Sequence, residues 1–491
     1  MTHSLVDAAG PCPIDVPRRL RRLVACCVFV VLAPACSSAS ESTEPDAAVT
    51  VISTTTPTTT VVPTTTTEAP PAVTVGAEVL SDRGFDVLDG KRVGAIVNQT
   101  SLVRGEHLID VLHTAPNVDL VAVFAPEHGV RGTAGAGTLI DDEVDTATGV
   151  TIFSLYGETR TPTPEMLEGI DVLVYDLQDV GGRFYTYVST MGLAMQAAAA
   201  AGVEFVVLDR PDPSGGVLPS GYVLEEDQLS FIGQYPVPAA YAMTAGELAN
   251  AILGEGWLEG LDGLSLHVVE MTGWLRGMTW EQTGLTWVPP SPGLQTAESA
   301  VTYLGTVLFE ATSISYGGGT LETFEVIGAE WADEISVSAH LNGHGLPGVV
   351  FVPVLFTPGP LPGRTDNPRL NGVEMRGVRI EVTDPALFDP VSTAVYILEE
   401  FATAHAAAAE VWEPPPPADD DPDDDPDDDP DDPAEAEFAP FVDREQTMGL
   451  LAGTDALVAA LDAGVDAEEI VASWADPLQD FGEVRLRYLL Y

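Results

Sequence analysis

Four short apolar runs, each closed by a polar cluster, set the strongest limit on how this chain folds. They are "RVGAIV" (92–97), "VDLVAVF" (118–124), "DVLVYDL" (171–177) and "VEFVVLD" (203–209). Each is almost continuously apolar and rich in β-branched residues, which marks a strand covered on both faces. Between the last two lies "TMGLAMQAAAAAG" (190–202), a strong helix former that stops at a glycine. Strands alternating with helices in this rhythm predict an α/β fold with a mostly parallel sheet over residues 76–298.

A second region, 299–491, has a different texture. "GLPGVVFVPVLFTP" (345–358) and "GVEMRGVRIEVTD" (372–384) read as strands, and "TAVYILEEFATAHAAAA" (393–409) reads as a helix. "TDALVAALDAG" and "DAEEIVASW" read as short helices leading to the closing "RYLLY". The expectation is a smaller, mixed α+β C-terminal domain. It is interrupted over 412–437 by a disordered acidic insert containing "ADDDPDDDPDDDPDDPAEAE" (418–437). A self-repelling, solvated loop accounts for that tract better than a loose cation site.

Charge and cysteine usage exclude several classes of function. The formal net charge of −55 argues against nucleic-acid binding, which needs a basic footprint. The four cysteines, Cys12, Cys26, Cys27 and Cys36, all precede residue 37. The folded portion is therefore expected to lack a disulfide, a thiolate metal site and a cysteine nucleophile. "RRLRR" (18–22) followed by "LVACCVFVVL" (23–32) reads as an export signal, its apolar stretch too short to span a bilayer. "APAC" ends on Cys36 and resembles a lipoprotein processing site, although Ala33 and Pro34 are unusual there. Residues 1–36 are thus expected to be a signal peptide with lipid attachment at Cys36, leaving a cell-surface protein, with simple secretion as the alternative. The Ser/Thr/Pro-rich stretch within 37–75 reads as an extended tether.

The polar clusters follow the strands in order. "NQTS" (98–101) follows the first, "PEHG" (126–129) the second, "QDVGGRFYTY" (178–187) the third and "RPDPSGG" (210–216) the fourth. All therefore sit at the carboxyl ends of presumed parallel strands, the edge where open α/β sheets bind ligands. On this basis Glu127 is expected to face a crevice shared with Asp176, Asp179, Asp209 and Arg183. Crowded carboxylates drive their pKa values apart, so that one serves as acid and another as base. His128 would orient Glu127 or substrate, or cap a turn. Asp179 and Arg183 read equally well as an ion pair holding their loop. Tyr185 and Tyr187 fit either a sugar platform or the core.

Other chemistries find little support. "RGTAGAG" (131–137) is glycine-rich but lacks the Gly-Lys-Ser/Thr ending of a phosphate loop. His340 and His344 in "HLNGHG" have i, i+4 spacing with glycines that argue against a metal-binding helix. No cofactor and no metal site with trustworthy ligand spacing is expected.

Several ordered motifs are similar to a known family, the exo-β-N-acetylmuramidases of the NamZ type. They are "FAPEHGVRGTAGAG", "SLYGETRTP", "VLVYDLQDVGGRFYTYVSTM", "VVLDRPDPSGG", "MTAGELA", "WVPPSP" and "RYLLY". The resemblance spans about residues 78–491 apart from the acidic insert. It implies a Rossmann-like catalytic domain followed by a smaller domain, and removal of terminal N-acetylmuramic acid from the non-reducing end of peptidoglycan fragments. Glu127 matches the family's catalytic glutamate. Asp176 and Asp179 are then candidate catalytic partners beside His128, with Asn98, Gln178, Arg183, Tyr185, Asp209 and Arg210 as substrate-binding residues.

The chain also departs from the family pattern. Tyr241 and Ala242 stand where His-Gly is usual, Gly293 where Asn is usual, and "SYGGGT" (315–320) where Ser-Glu-Gly-Arg-Gly-Thr is usual. Tyr316 and Gly318 thus remove an acid and a base from a loop expected to face substrate. That guanidinium would be a natural clamp for the lactyl carboxylate of muramic acid. The leading expectation is a glycosidase with Glu127 as general acid. The alternative is a lipid-anchored, non-catalytic peptidoglycan-binding protein derived from one.

Overall fold

The four apolar runs become the four central strands of a seven-stranded sheet. Its members are β1 (Arg92–Val97), β2 (Asp119–Ala125), β3 (Glu143–Val144), β4 (Thr151–Ser154), β5 (Val172–Asp176), β6 (Glu204–Leu208) and β7 (Leu266–Val269). Their spatial order is β7-β6-β5-β1-β2-β4-β3, parallel throughout except for β3 against β4. The computed structural model describes residues 72–131, 138–412 and 438–491. The export signal, Cys36, the spacer over 37–71 and residues 413–437 of the acidic insert lie outside the described residues.

Period-two alternation sends each strand's side chains to two separate cores. Ile96, Phe124, Tyr175 and Phe205 project to one face, against helices α1 (Thr186–Ala201) and α2 (Ala245–Glu255). Val93, Ala95, Val97, Val123, Val174 and Val206 project to the other, where the helix Leu108–Thr114 covers them. Helix α1 stops at Gly202, whose φ of 68° is the left-handed cap that ends many helices. The chain runs outward from β1 through β2 to β4 and then returns to place β5 on the other side of β1. That reversal is the topological switch point, and it lies between β1 and β5.

The later region is a three-stranded antiparallel sheet of β8 (Val326–Ala329), β9 (Val349–Phe356) and β10 (Met375–Val382), in the order β8-β10-β9. Helices α3 (Ala297–Thr306) and α4 (Pro390–Ala409) share one core with it, around Phe309, Phe351, Ile380 and Phe401. Ala69–Tyr491 packs as one compact unit. Polar contacts join its two regions: the Arg183 guanidinium donates to the Leu451 carbonyl at 2.6 Å, and the Tyr491 hydroxyl donates to Asp209 at 2.8 Å.

Candidate active site

β2 ends at Ala125, and the next residues turn sharply. Pro126 has no N–H to extend the ladder, and its carbonyl accepts from Gly129 N at 3.0 Å. His128 and Gly129 both adopt left-handed backbone, φ 72° and 76°. For His128 this costs on the order of 1 kcal/mol, and a non-glycine residue held there points to a functional constraint. The turn aims Glu127 and His128 into a cavity of about 740 Å³, within the roughly 300–1,000 Å³ usual for ligand pockets.

Both regions of the fold build the walls. Tyr185 and Thr186 come from the start of α1, residues 291–294 from the segment before α3, and Glu310 from the turn that follows α3. Tyr316 to Gly319 and the loop 361–370 close the side contributed by the C-terminal region. Tyr316 stacks on Phe324 with ring centroids 5.1 Å apart and 15° between planes, and Phe324 meets Tyr303 edge-on at 4.8 Å. Flat apolar faces with hydroxyl tips suit a sugar ring, which offers C–H faces and a polar rim.

Three carboxylates line this cavity: Glu127, Glu310 and, on the loop 361–370, the exposed Asp366. Glu127 is 9% exposed, and Thr186 Oγ1 donates to its Oε2 at 2.7 Å. Burial, with the Glu127 carboxylate beside it, pushes the Tyr156 phenol up to about 12. Glu310 is only partly covered in surface terms but enclosed by the cavity walls. Burial pushes its carboxyl up to about 7; the Arg444 charge opposes the rise and the Glu127 charge adds to it. The two glutamates therefore interact within one enclosure, and one of them holds its proton close to neutral pH. This arrangement can donate a proton to a leaving oxygen while a neighbouring anion meets developing positive charge.

The family model for the N-terminal part of exo-β-N-acetylmuramidase NamZ matches residues 93–298, and the model for its C-terminal part matches 301–491. The chain belongs to the NamZ family. The peptidoglycan β-N-acetylmuramidase NamZ of Bacillus subtilis (strain 168) is 37% identical over 425 residues, covering 86% of this chain and 92% of that one. Two crystal structures of DUF1343 family proteins from Bacteroides fragilis NCTC 9343 share the fold. One has a TM-score of 0.73 at 35% identity, covering 86% of this chain and 99% of the other; the second has 0.64 at 28%, covering 85% and 99%.

Of the residues expected at the site of this NamZ family member, Glu127, His128 and Tyr185 line the cavity and the others do not. Segment 127–131 forms turns. Asp176, fully buried, is held by Arg210, whose Nε and Nη2 donate to its two carboxylate oxygens at 2.6 and 2.9 Å. Asp209 accepts from the Thr244 hydroxyl, Gly246 N and the Tyr491 hydroxyl at 2.7–2.9 Å, and burial raises it to about 6. Asn98 accepts from Thr100, and Gln178 donates to the carbonyls of Asp179 and Pro211. The expected crevice at the switch point is thus filled by the protein's own polar groups, with the closing Tyr491 among them.

Asp179 and Arg183 do not pair. Asp179 accepts from Gly181 N and the Tyr241 hydroxyl, and burial raises its carboxyl to about 6. Arg183, 1% exposed, donates instead to the carbonyls of Tyr222, Val237 and Leu451, and burial pulls its guanidinium down to about 9. Tyr187 belongs to the core, its hydroxyl donating to the Pro290 carbonyl at 2.6 Å.

The departures from the family pattern fall into two groups. Tyr241 and Ala242 lie in the interior, and Ala242 has φ 54°, a conformation that suits the glycine usual there. Gly293, Tyr316 and Gly318 line the cavity. A Cβ at Gly318 would come within 3.1–3.3 Å of the Tyr316 ring, so the tyrosine fills space that a side chain at 318 would need. Glu310, Arg364 and Arg369 were invisible from the sequence as site residues, because no motif marks them and only the tertiary fold brings them to the cavity.

Proposed function

We infer that this NamZ family member is a glycosidase that releases N-acetylmuramic acid from the non-reducing end of peptidoglycan fragments, with Glu127 and Glu310 as its working carboxylates. The observation that carries the reading is the presence of both glutamates in one cavity, where burial, with a smaller contribution from the Glu127 charge, raises the Glu310 carboxyl. The relative from Bacillus subtilis is, by its name, a peptidoglycan β-N-acetylmuramidase.

The division of labour follows from where the proton sits. Glu310, raised to about 7, is the acid: it protonates the glycosidic oxygen as the bond from C1 to that oxygen breaks. Glu127, which accepts a hydrogen bond from Thr186, is the partner carboxylate and meets the positive charge that develops at C1. Water then supplies the hydroxyl at C1, and its proton restores the acid. In this reading Glu310 takes the role of general acid that the sequence suggested for Glu127. Attachment through a lipid at Cys36 and an extracytoplasmic location belong to the same proposal, since both would hold the chain at the cell wall.

The second reading, a wall-binding protein without turnover, is favoured by the Tyr316 ring lying against Gly318. Aryl β-N-acetylmuramides with good and poor leaving groups separate the possibilities. Glu310→Gln should keep most activity when the leaving group needs no proton and lose it when it does; Glu127→Gln should lose both. Saturable binding of a muramide with no release by the unaltered protein would support the second reading.

A further inference from the structure

Three arginines approach the cavity from the C-terminal region, and they differ in what holds them. Arg369 lies against the Asp443 carboxylate and the Thr312 carbonyl, so its charge is matched. Arg444 donates to the Glu310 carbonyl at 3.2 Å and is exposed. Arg364 lines the cavity, is half-buried, and donates from Nη2 to the neutral Oε1 of Gln295 at 2.7 Å. Among the described residues no carboxylate lies within ion-pair distance of it.

The Arg364 head is positioned, not loose. Gln295 donates its own Nε2 to the Pro292 carbonyl at 2.8 Å, which turns Oε1 toward the arginine. The loop beneath is a tight turn: Arg364 N donates to the Leu361 carbonyl at 2.9 Å, and Leu361 N to the Thr365 carbonyl at 2.8 Å. Gly359 N binds the Gly319 carbonyl at 2.9 Å, which pins this loop to the turn carrying Gly318. A Cβ at Gly319 would meet Pro368 at 2.6 Å, so only glycine permits that approach.

We propose that Arg364 is the carboxylate-recognition residue of this cavity, pairing with the lactyl carboxylate of a terminal muramic acid residue. The proposal rests on the function inferred above and adds the specificity determinant. An anionic sugar entering a cavity that already holds Glu127 and Glu310 needs an opposing cation, and a planar guanidinium matches a carboxylate with two parallel N–H donors. Arg364 supplies that cation from the loop beside Gly318, the position where the resemblance leads one to expect an arginine.

Calorimetric binding to the full chain tests this without relying on turnover. The ligands are N-acetylmuramic acid, its lactyl methyl amide and N-acetylglucosamine, measured on the unaltered protein, Arg364→Gln and Arg364→Lys. The unaltered protein should prefer the acid over the amide by about tenfold or more, as for hydrogen bonds to charged groups. Arg364→Gln should erase that preference while holding N-acetylglucosamine with unchanged affinity, and Arg364→Lys should restore part of it. With an aryl muramide as substrate, Arg364→Gln should raise KM far more than it lowers kcat. An acid preference unchanged in Arg364→Gln, or absent from a protein that still binds and cleaves muramides, overturns the assignment of Arg364 alone. No binding and no cleavage of any of these sugars overturns the inferred function and this subsite together.

Discussion

Thr186, the first residue of α1, donates its hydroxyl to the Glu127 carboxylate at 2.7 Å, joining the turn after β2 to the start of the longest helix on that face of the sheet. A helix N-terminus favours a nearby anion, and the hydroxyl adds a directed donor. Thr186→Val keeps the shape and removes the donor. It should lower kcat about tenfold with little change in KM, and Thr186→Ser should recover most of the loss. Steady-state kinetics on an aryl muramide checks both.

In the proposed mechanism Glu310 should set the alkaline limit of activity. Its carboxyl is raised to about 7, and the proposed acid works only while protonated, so kcat/KM should fall about tenfold per pH unit above 7. Arg444 opposes the rise. Arg444→Gln should therefore shift the falling limb to higher pH, read from pH–rate profiles of the two proteins.

Asp176 and Arg210 stand at strand ends where catalysis was expected, yet they form a buried pair, 0% and 8% exposed. Removing one partner leaves a buried charge uncompensated, a loss of about 3–5 kcal/mol. Arg210→Met should lower the unfolding midpoint in urea by that much, and Asp176→Asn together with Arg210→Met should lose less than the single change. Folded Arg210→Met should keep the KM of the unaltered protein, which a substrate-binding arginine would not.

Buried Asp212 gives stability a pH dependence of defined sign. Burial raises its carboxyl to about 7 in the folded state, against an ordinary value near 4 when unfolded. Between those values the folded state binds more protons, so stability falls as pH rises from about 4 to 7 and the penalty is fully present above 7. Asp212→Asn should be more stable than the unaltered protein at pH 8, by roughly 2–4 kcal/mol, with little difference at pH 4. Denaturant midpoints at the two values measure it.

The sheet was legible because its strands are apolar along their whole length. The runs read at 92–97, 118–124, 171–177 and 203–209 match the four central strands to within one residue at each end. "LHVV" (266–269) escaped notice because it lies at the sheet's edge, where only Val269 is fully buried. Site residues were legible only in part. Every polar cluster does follow a strand, but sequence order does not reveal that Arg210, Thr244 and Tyr491 fold back to satisfy Asp176 and Asp209. Nor does it reveal that Glu310, nearly two hundred residues from Glu127, reaches the same cavity. What separates Glu127 from the acids it resembled is the strained turn at His128, which a sequence does not display.

The most direct test is to incubate the purified protein with peptidoglycan fragments bearing a non-reducing terminal N-acetylmuramic acid and to follow the free sugar. The unaltered protein should release it, and Glu127→Gln and Glu310→Gln should each release it at least about a hundredfold more slowly while still folding. Release that persists in both variants, or fragments that bind the unaltered protein and emerge intact, would contradict a cleavage centre built from these two glutamates.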